Sequence, residues 1–271
     1  MRIELYKENA PAPNGSQEDF FAPYMDTFLL RQVKNPCGAV LVLPGGGYNH
    51  RAFHEGDPIA EAFNRLGYHA FVLQYRVQPY TYPAPQMDAA RAIKIIRANA
   101  EAWGVQPDKI AVCGFSAGGH LAACAGMLSD RYQVAEGDEA DNFPGNADAM
   151  LLCYGVLSTT WTYTDLGREL PSGTPYRDEN GKEIDPWKLV DDNTPPAYVW
   201  HTATDKSVPV ECSVAFAREM WKCQRPCELH IYPEGPHGRG LAIAYKDIVT
   251  WSKEAATFLE KSCGFPRAIQ Y

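Results

Sequence analysis

The chain has 271 residues, a length that suits one α/β domain with insertions and one hydrophobic core. Its hydrophobic share of 45% and aromatic share of 12% exclude a disordered chain. A net charge of -8, with no Lys/Arg run, argues against nucleic acid or an anionic membrane as partner.

The opening stretch MRIELYKENAP lacks the apolar core of a signal peptide, and no run approaches the roughly 18 apolar residues of a membrane span. The expected location is therefore cytoplasmic. The eight Cys are scattered, and Cys113, Cys124 and Cys153 fall inside predicted elements, where a reduced thiol behaves as a small apolar group. Cys223 and Cys227 fit no zinc spacing, so no metal is expected.

Eight strand-like runs follow one another: RIELY at 2–6, TFLLRQV at 27–33, AVLVL at 39–43, HAFVLQY at 69–75, KIAVC at 109–113, AMLLCY at 149–154, AYVWH at 197–201 and ELHIY at 228–232. From the third onward they are continuously apolar, as strands covered on both faces are. Helical patterns lie between them. Asp57 and Pro58 suit an N-cap and first helical position, Ile59, Ala62, Phe63 and Leu66 share a face, and Gly67 stops the helix. Residues 86–103 place Ala89, Ile93, Ile96, Ala100 and Trp103 on one stripe, ended by Gly104. Val210, Val214, Ala217 and Trp221 make a third stripe, and Ile248, Trp251, Ala255, Phe258 and Leu259 a fourth. This alternation predicts a single α/β domain, residues 1–271, with an eight-stranded, mostly parallel sheet covered by helices on both faces. Residues 129–148 and 158–194 break the alternation and read as insertions. The second carries Trp161, Tyr163, Tyr176 and Trp187, and is either a small cover over the carboxyl edge of the sheet or a surface excursion.

The run KIAVC leads directly into GFSAGGH, a Gly-x-Ser-x-Gly pentapeptide with Ser116 at its centre. A sharp strand-to-helix turn crowds the backbone around the Ser, and Gly114 and Gly118 supply the small neighbours it needs. A Ser N-cap with packing glycines is the plainer alternative. Directly after AVLVL come Pro44, Gly45, Gly46, Gly47 and Tyr48. Backbone N–H groups in such a run are unobstructed, as an oxyanion hole requires, and the Ala117 N–H would be a further donor. A flexible loop or a phosphate cradle would also use glycines, but no Gly-x-Gly-x-x-Gly and no following Lys-Ser/Thr accompany them.

A Ser nucleophile needs a base, and the base an orienting carboxylate. Of seven His, His69 and His230 lie inside strands, His120 sits one turn into the helix after Ser116, and His201 ends a strand. His50 and His54 follow the glycine loop, where they could line a pocket. His237 stands in PEGPHGRG after the last strand, where a side chain can reach across the carboxyl edge. Asp205, in HTATDKSVP past the strand AYVWH, is the matching acid, with an Asp turn as the structural alternative, while Asp191 and Asp192 precede that strand at the wrong end of the sheet.

On these residues the chain resembles the α/β-hydrolase superfamily, and within it the bacterial acetyl esterases related to hormone-sensitive lipase and to carbohydrate acetyl/feruloyl esterases. The segments that carry the resemblance are PGGGY at 44–48, YRV at 75–77, YPAPQMDAARAI at 82–93, GFSAGGHLAA at 114–123, HTATDKSVP at 201–209 and GPHGRGL at 235–241. The resemblance implies a nucleophile at Ser116, an acid at Asp205, a base at His237, and oxyanion donors from Gly46, Gly47 and Ala117. It implies a serine esterase without cofactor, acting on short-chain acyl esters, with acetylated oligosaccharides as substrate. Pro44 replaces the His that opens the glycine loop in many lipase relatives, which points away from a lipase; Pro236 stands where Gly often precedes the His. Tyr48 is expected to border the acyl pocket by position alone. Peptidase or formamidase chemistry on the same triad, and a non-catalytic binding protein on the same fold, are the alternatives. Oligomeric state is left open, a homo-oligomer included. Tyr75, Arg76 and Asp88 are expected to brace helix and strand packing.

Overall fold

The computed structural model describes residues 1–7, 21–132 and 134–268. Residues 8–20, which include the end of the opening stretch, Gln133 within the expected insertion at 129–148, and residues 269–271 lie outside the described residues. Eight strands form one sheet in the order β1-β2-β4-β3-β5-β6-β7-β8. They are β1 (Arg2–Glu4), β2 (Tyr24–Phe28), β3 (Cys37–Leu43), β4 (His69–Gln74), β5 (Val105–Phe115), β6 (Ala149–Cys153), β7 (Ala197–Thr202) and β8 (Cys227–Tyr232). The β1/β2 and β2/β4 pairs are antiparallel; every other pair is parallel.

Strand alternation splits the core into two layers. Leu41, Leu43, Val112, Met150 and Val199 face one side of the sheet, and Val40, Val42, Ala111, Leu151 and Trp200 the other. Helices α2 (Ala84–Ala98), α4 (Ala117–Met127) and α5 (Glu211–Lys222) pack on the first side; α1 (Asp57–Arg65) and α6 (Trp251–Cys263) pack on the second. Both faces of the central strands are therefore dry, which accounts for their unbroken apolar sequences.

Strand β5 begins at Val105, four residues before the expected run at 109–113, and three further elements depart from expectation. The second strand is Tyr24–Phe28, not 27–33. It ends where its partner ends: Phe28 pairs with Ala70 near the start of β4, and the next free amide, Leu30 N–H, donates to the His69 ring at 3.1 Å. The helix expected over 86–103 divides into α2 and a short α3 (Ala100–Trp103) at Asn99, whose side-chain amide donates to Ile95 O at 2.8 Å in competition with the backbone. Helix α5 buries a face that shares Ala217, but not Val214 or Trp221, with the one expected. Cys212, Phe216 and Met220 point into the core, while Val214 and Trp221 are 44% and 51% exposed. The Trp221 indole lies along the surface and donates to Cys227 O at 3.0 Å, so its polar edge keeps it at the rim.

The connection from β6 to β7 is held to the body by its own side chains. Tyr176 packs edge-on against His120 and Tyr48, with ring centroids 4.8 and 5.1 Å apart, and Trp161 stacks on Trp187 at 5.1 Å. Arg76 and Asp88 form a fully buried ion pair at 2.7 Å, and the Tyr75 hydroxyl donates to Pro44 O. All eight Cys are free thiols. Among the described residues no helix is long and apolar enough to cross a membrane.

Candidate active site

Three loops at the carboxyl ends of the parallel strands converge. Ser116 sits between β5 and α4 with φ 54° and ψ -117°, a backbone state that L-residues seldom adopt. Backbone bonds to the β6 end hold it there: Ser116 N–H donates to Cys153 O at 3.1 Å and Val156 N–H to Ser116 O at 3.1 Å, while Gly119 and His120 N–H donate to Ser116 O from the first turn of α4. The turn is as crowded as the sequence implies. A Cβ on Gly114 would stand 2.1 Å from Gly118 O, and one on Gly118 would stand 2.1 Å from Leu43 O.

Asp205 follows β7 and His237 follows β8. The His237 ring bridges them to Ser116: Nε2 lies 2.8 Å from Ser116 Oγ, and Nδ1 lies 2.6 Å from Asp205 Oδ2. With a carboxylate on Nδ1, the proton belongs on that nitrogen, which leaves Nε2 to accept from the Ser hydroxyl. The Asp205 side chain is 1% exposed and the His237 side chain 20%. The other Asp205 oxygen accepts Ser207 N–H at 2.8 Å and Val208 N–H at 3.0 Å. Burial alone would raise the Asp205 carboxyl, but hydrogen bonds from His201 and His237, with the Val208 amide, override it and hold the group well below the usual carboxylate range. Thr202 and Thr204 tie the His loop to the Asp loop by donating to Gly235 O at 2.7 and 3.3 Å. A cavity of about 730 Å³ lies along the Asp205 and His237 loops, lined in part by Lys206, Glu234, His237 and Tyr245.

The glycine loop lies against Ser116. A Cβ on Gly45 would meet Ser116 Cβ at 3.1 Å, and one on Gly46, where φ is 125°, would stand 2.3 Å from His50 O. The N–H groups of Gly46, Gly47 and Ala117 donate to no acceptor among the described residues. Ala117 opens α4, so its amide is one of the orphan donors of a helix N-terminus, where negative charge is favoured.

Other expectations fare differently. Tyr48 does not border an open pocket: its side chain is fully buried, because its hydroxyl donates to His120 Nδ1 at 2.8 Å. His120 Nε2 in turn lies 3.0 Å from Ile184 O, and burial pushes this imidazole down to about 4, so it is a neutral packing residue as its position suggested. His50 is exposed, and His54 Nε2 reaches Gly238 O at 3.0 Å. His201, Glu55 and Tyr154 adjoin the site without having been singled out. His201 Nε2 is 3.4 Å from Asp205 Oδ2 and 2.9 Å from Val208 O. The spacing of His201 and Asp205 in HTATD is the one local hint to that contact; the partners of Glu55 and Tyr154 are remote in sequence.

The BD-FAE family model matches residues 25–220, well over half of the chain. The chain belongs to the BD-FAE family. It is similar to endo-1,4-beta-xylanase B of Butyrivibrio fibrisolvens, 34% identical over 239 residues that make up 86% of this chain and 37% of that protein. It is also similar to the acetylxylan esterase of Xylanibacter ruminicola, 30% identical across 81% of this chain and 46% of that one. The chain thus spans less than half the length of either of these relatives. The crystal structure of an acetyl ester-xyloside bifunctional hydrolase from Caldicellulosiruptor lactoaceticus superposes with a TM-score of 0.84 at 34% identity, covering 97% of this chain and 96% of that one. This likeness and the sheet order make the fold an α/β-hydrolase fold.

Proposed function

We propose that the protein is a serine carboxylic-ester hydrolase that removes short acyl groups, chiefly acetyl, from oligosaccharides. The observation that carries this reading is the hydrogen-bonded row from Ser116 through His237 to Asp205, at 2.8 and 2.6 Å, near three backbone N–H groups that find no acceptor among the described residues. The printed names of the relatives, an acetylxylan esterase and an acetyl ester-xyloside hydrolase, support the ester and sugar parts of it.

In this reading His237 Nε2 takes the Ser116 proton as Oγ attacks the ester carbonyl, and the Gly46, Gly47 and Ala117 amides meet the developing oxyanion. The protonated imidazole then gives its proton to the departing sugar hydroxyl, leaving an acyl-enzyme. Water, deprotonated by the same imidazole, attacks that ester and releases the acid with Ser116 restored. Asp205, kept ionised, holds the tautomer and stabilises the imidazolium. The cavity beside His237 offers Lys206, Glu234 and Tyr245 to a polar alcohol portion. No step calls for a metal or organic cofactor.

The test is release of p-nitrophenol from its acetate and from longer-chain esters by the native protein and by Ser116→Ala, followed by acetate release from acetylated xylo-oligosaccharides. Activity that falls with chain length, disappears in the variant and extends to the sugar esters is expected. Amide turnover without ester turnover would replace this reading with a peptidase or formamidase one.

A further inference from the structure

The proposed chemistry draws on loops that follow four different strands, and one buried carboxylate links two of them, the glycine loop directly and the histidine loop through a tyrosine. Glu55 closes a single 3-10 turn, Phe53–Glu55, and is 2% exposed. Its Oε2 accepts the Gly45 N–H at 2.8 Å, at the head of the glycine loop. Gly45 is wedged between this carboxylate and the Ser turn: a Cβ there would lie 2.6 Å from Glu55 Oε2, 2.7 Å from Phe115 O and 3.1 Å from Ser116 Cβ. Glu55 Oε1 accepts the Tyr154 hydroxyl at 2.7 Å. That hydroxyl accepts Gly240 N–H at 2.8 Å, three residues beyond His237, and the Tyr154 ring stands edge-on to the His237 ring with centroids 5.0 Å apart. Gly240 O is fixed from the other side by Trp251 Nε1–H at 3.0 Å.

We propose that Glu55, acting through Tyr154, is a positioning residue for the reaction, holding the glycine loop and the histidine loop in register around Ser116. The inference rests on the reading of Ser116 as nucleophile. Glu55 touches neither substrate nor reacting atoms, so its effect is on geometry. A buried carboxylate is costly to desolvate, and among the described residues its ion-pair neighbour is the largely exposed His54 at 3.7 Å. An apolar side chain would avoid that cost but would leave the Gly45 N–H and the Tyr154 O–H without an acceptor. Burial, and then the charge of Glu55, raise the Tyr154 phenol well above its ordinary range, so it stays a donor to Glu55 at any working pH. Tyr154 itself is held at φ 38°, a left-handed backbone state that aims its side chain under the histidine loop.

The experiment compares the full chain with Glu55→Ala, Glu55→Gln, Tyr154→Phe and the Glu55→Ala/Tyr154→Phe double variant. It reads kcat and KM on p-nitrophenyl acetate, Tm, and the rate of Ser116 labelling by a fluorophosphonate. Small displacements of donors or base cost about 10- to 100-fold in rate. That loss in kcat is expected for Glu55→Ala and for Tyr154→Phe, with KM within a few-fold of native and the protein folded at the assay temperature. Glu55→Gln should recover much of the loss, because its carbonyl can accept from Gly45. The double variant should lose no more than the worse single, since both changes cut one chain. Unchanged kcat in Tyr154→Phe, losses that multiply in the double variant, or losses that only follow the unfolded fraction would overturn the inference. Native protein that neither turns over the ester nor labels at Ser116 would instead overturn the reading it rests on, and the inference with it.

Discussion

Gly118 lies directly beneath the end of β3, so close that a methyl group on it would be 2.1 Å from Leu43 O. The Ser turn and the strand that delivers the glycine loop are thereby locked together by the absence of one side chain. Neither backbone can yield without displacing Ser116 or Gly45. Gly118→Ala is therefore expected to lower the unfolding free energy by about 3 kcal/mol, at the upper end of what overpacking costs. Gly181→Ala, where a Cβ meets nothing within 4 Å, serves as the control and should cost only the roughly 1 kcal/mol of a left-handed Ala at φ 74°. Urea unfolding followed by circular dichroism measures both.

Asp205→Asn should reduce kcat by roughly 10³- to 10⁴-fold with little change in KM, the scale on which other triads respond to loss of the orienting charge. The amide would present an N–H to His237 Nδ1 and favour the wrong tautomer, while Ser207 N–H and Val208 N–H would still find an acceptor in the amide oxygen. Steady-state kinetics on p-nitrophenyl acetate, with the variant confirmed as folded, checks the split.

His120 gives the fold a dependence on pH that is separate from catalysis. Its imidazole is pushed from 6.5 down to about 4 by burial, so the folded protein resists the proton that the unfolded chain takes up. The sign follows: between these values the unfolded state binds more protons, and stability is lost as pH falls from about 6.5 toward about 4. The shift corresponds to a loss of about 3 kcal/mol across the window. Unfolding midpoints in urea at pH 7.5 and about 4.5 should differ more in the native protein than in His120→Gln, which keeps a donor and an acceptor but cannot titrate.

Most of the sheet was legible because β3, β4, β6, β7 and the second half of β5 are buried on both faces and correspondingly apolar, while the first half of β5, with Pro107 and Asp108 exposed, gave no such signal. The strand that escaped, β2, reads YMDTF, half exposed and with a charge at its centre, while the apolar residues just after it made a more convincing strand than the one that forms. Helix α5 was found but turned, since Trp221 counts as apolar in a periodic pattern yet sits at the surface on its indole N–H. Ser116, Asp205 and His237, which the structure joins by hydrogen bonds, stand out in the sequence because each follows a recognisable strand, and Gly46, Gly47 and Ala117 are proposed as donors through their backbone, which needs no particular side chain. Tyr48 was misread because adjacency to the glycine loop says nothing about the direction of a side chain, and here φ is 62° and the ring turns inward to His120. Glu55 and Tyr154 are 99 residues apart and meet only because the fold brings the residue after β6 across the end of β5 to the turn that follows the glycine loop. No local pattern marks such a pair. Arg76 and Asp88, expected to be structural, are joined by a buried ion pair, with a backbone bond from Arg76 N–H to Asp88 at 2.8 Å.

In the proposed mechanism Ser116 carries the acyl group. The most direct test of this is to mix the protein with p-nitrophenyl acetate, quench in acid within the first turnover, and locate any acetyl adduct by mass spectrometry of the peptides. An acetyl group is expected on the peptide containing Ser116, accumulating with a burst of p-nitrophenol and absent from Ser116→Ala. Turnover with the acetyl group on another residue, or turnover undiminished in Ser116→Ala, would contradict it.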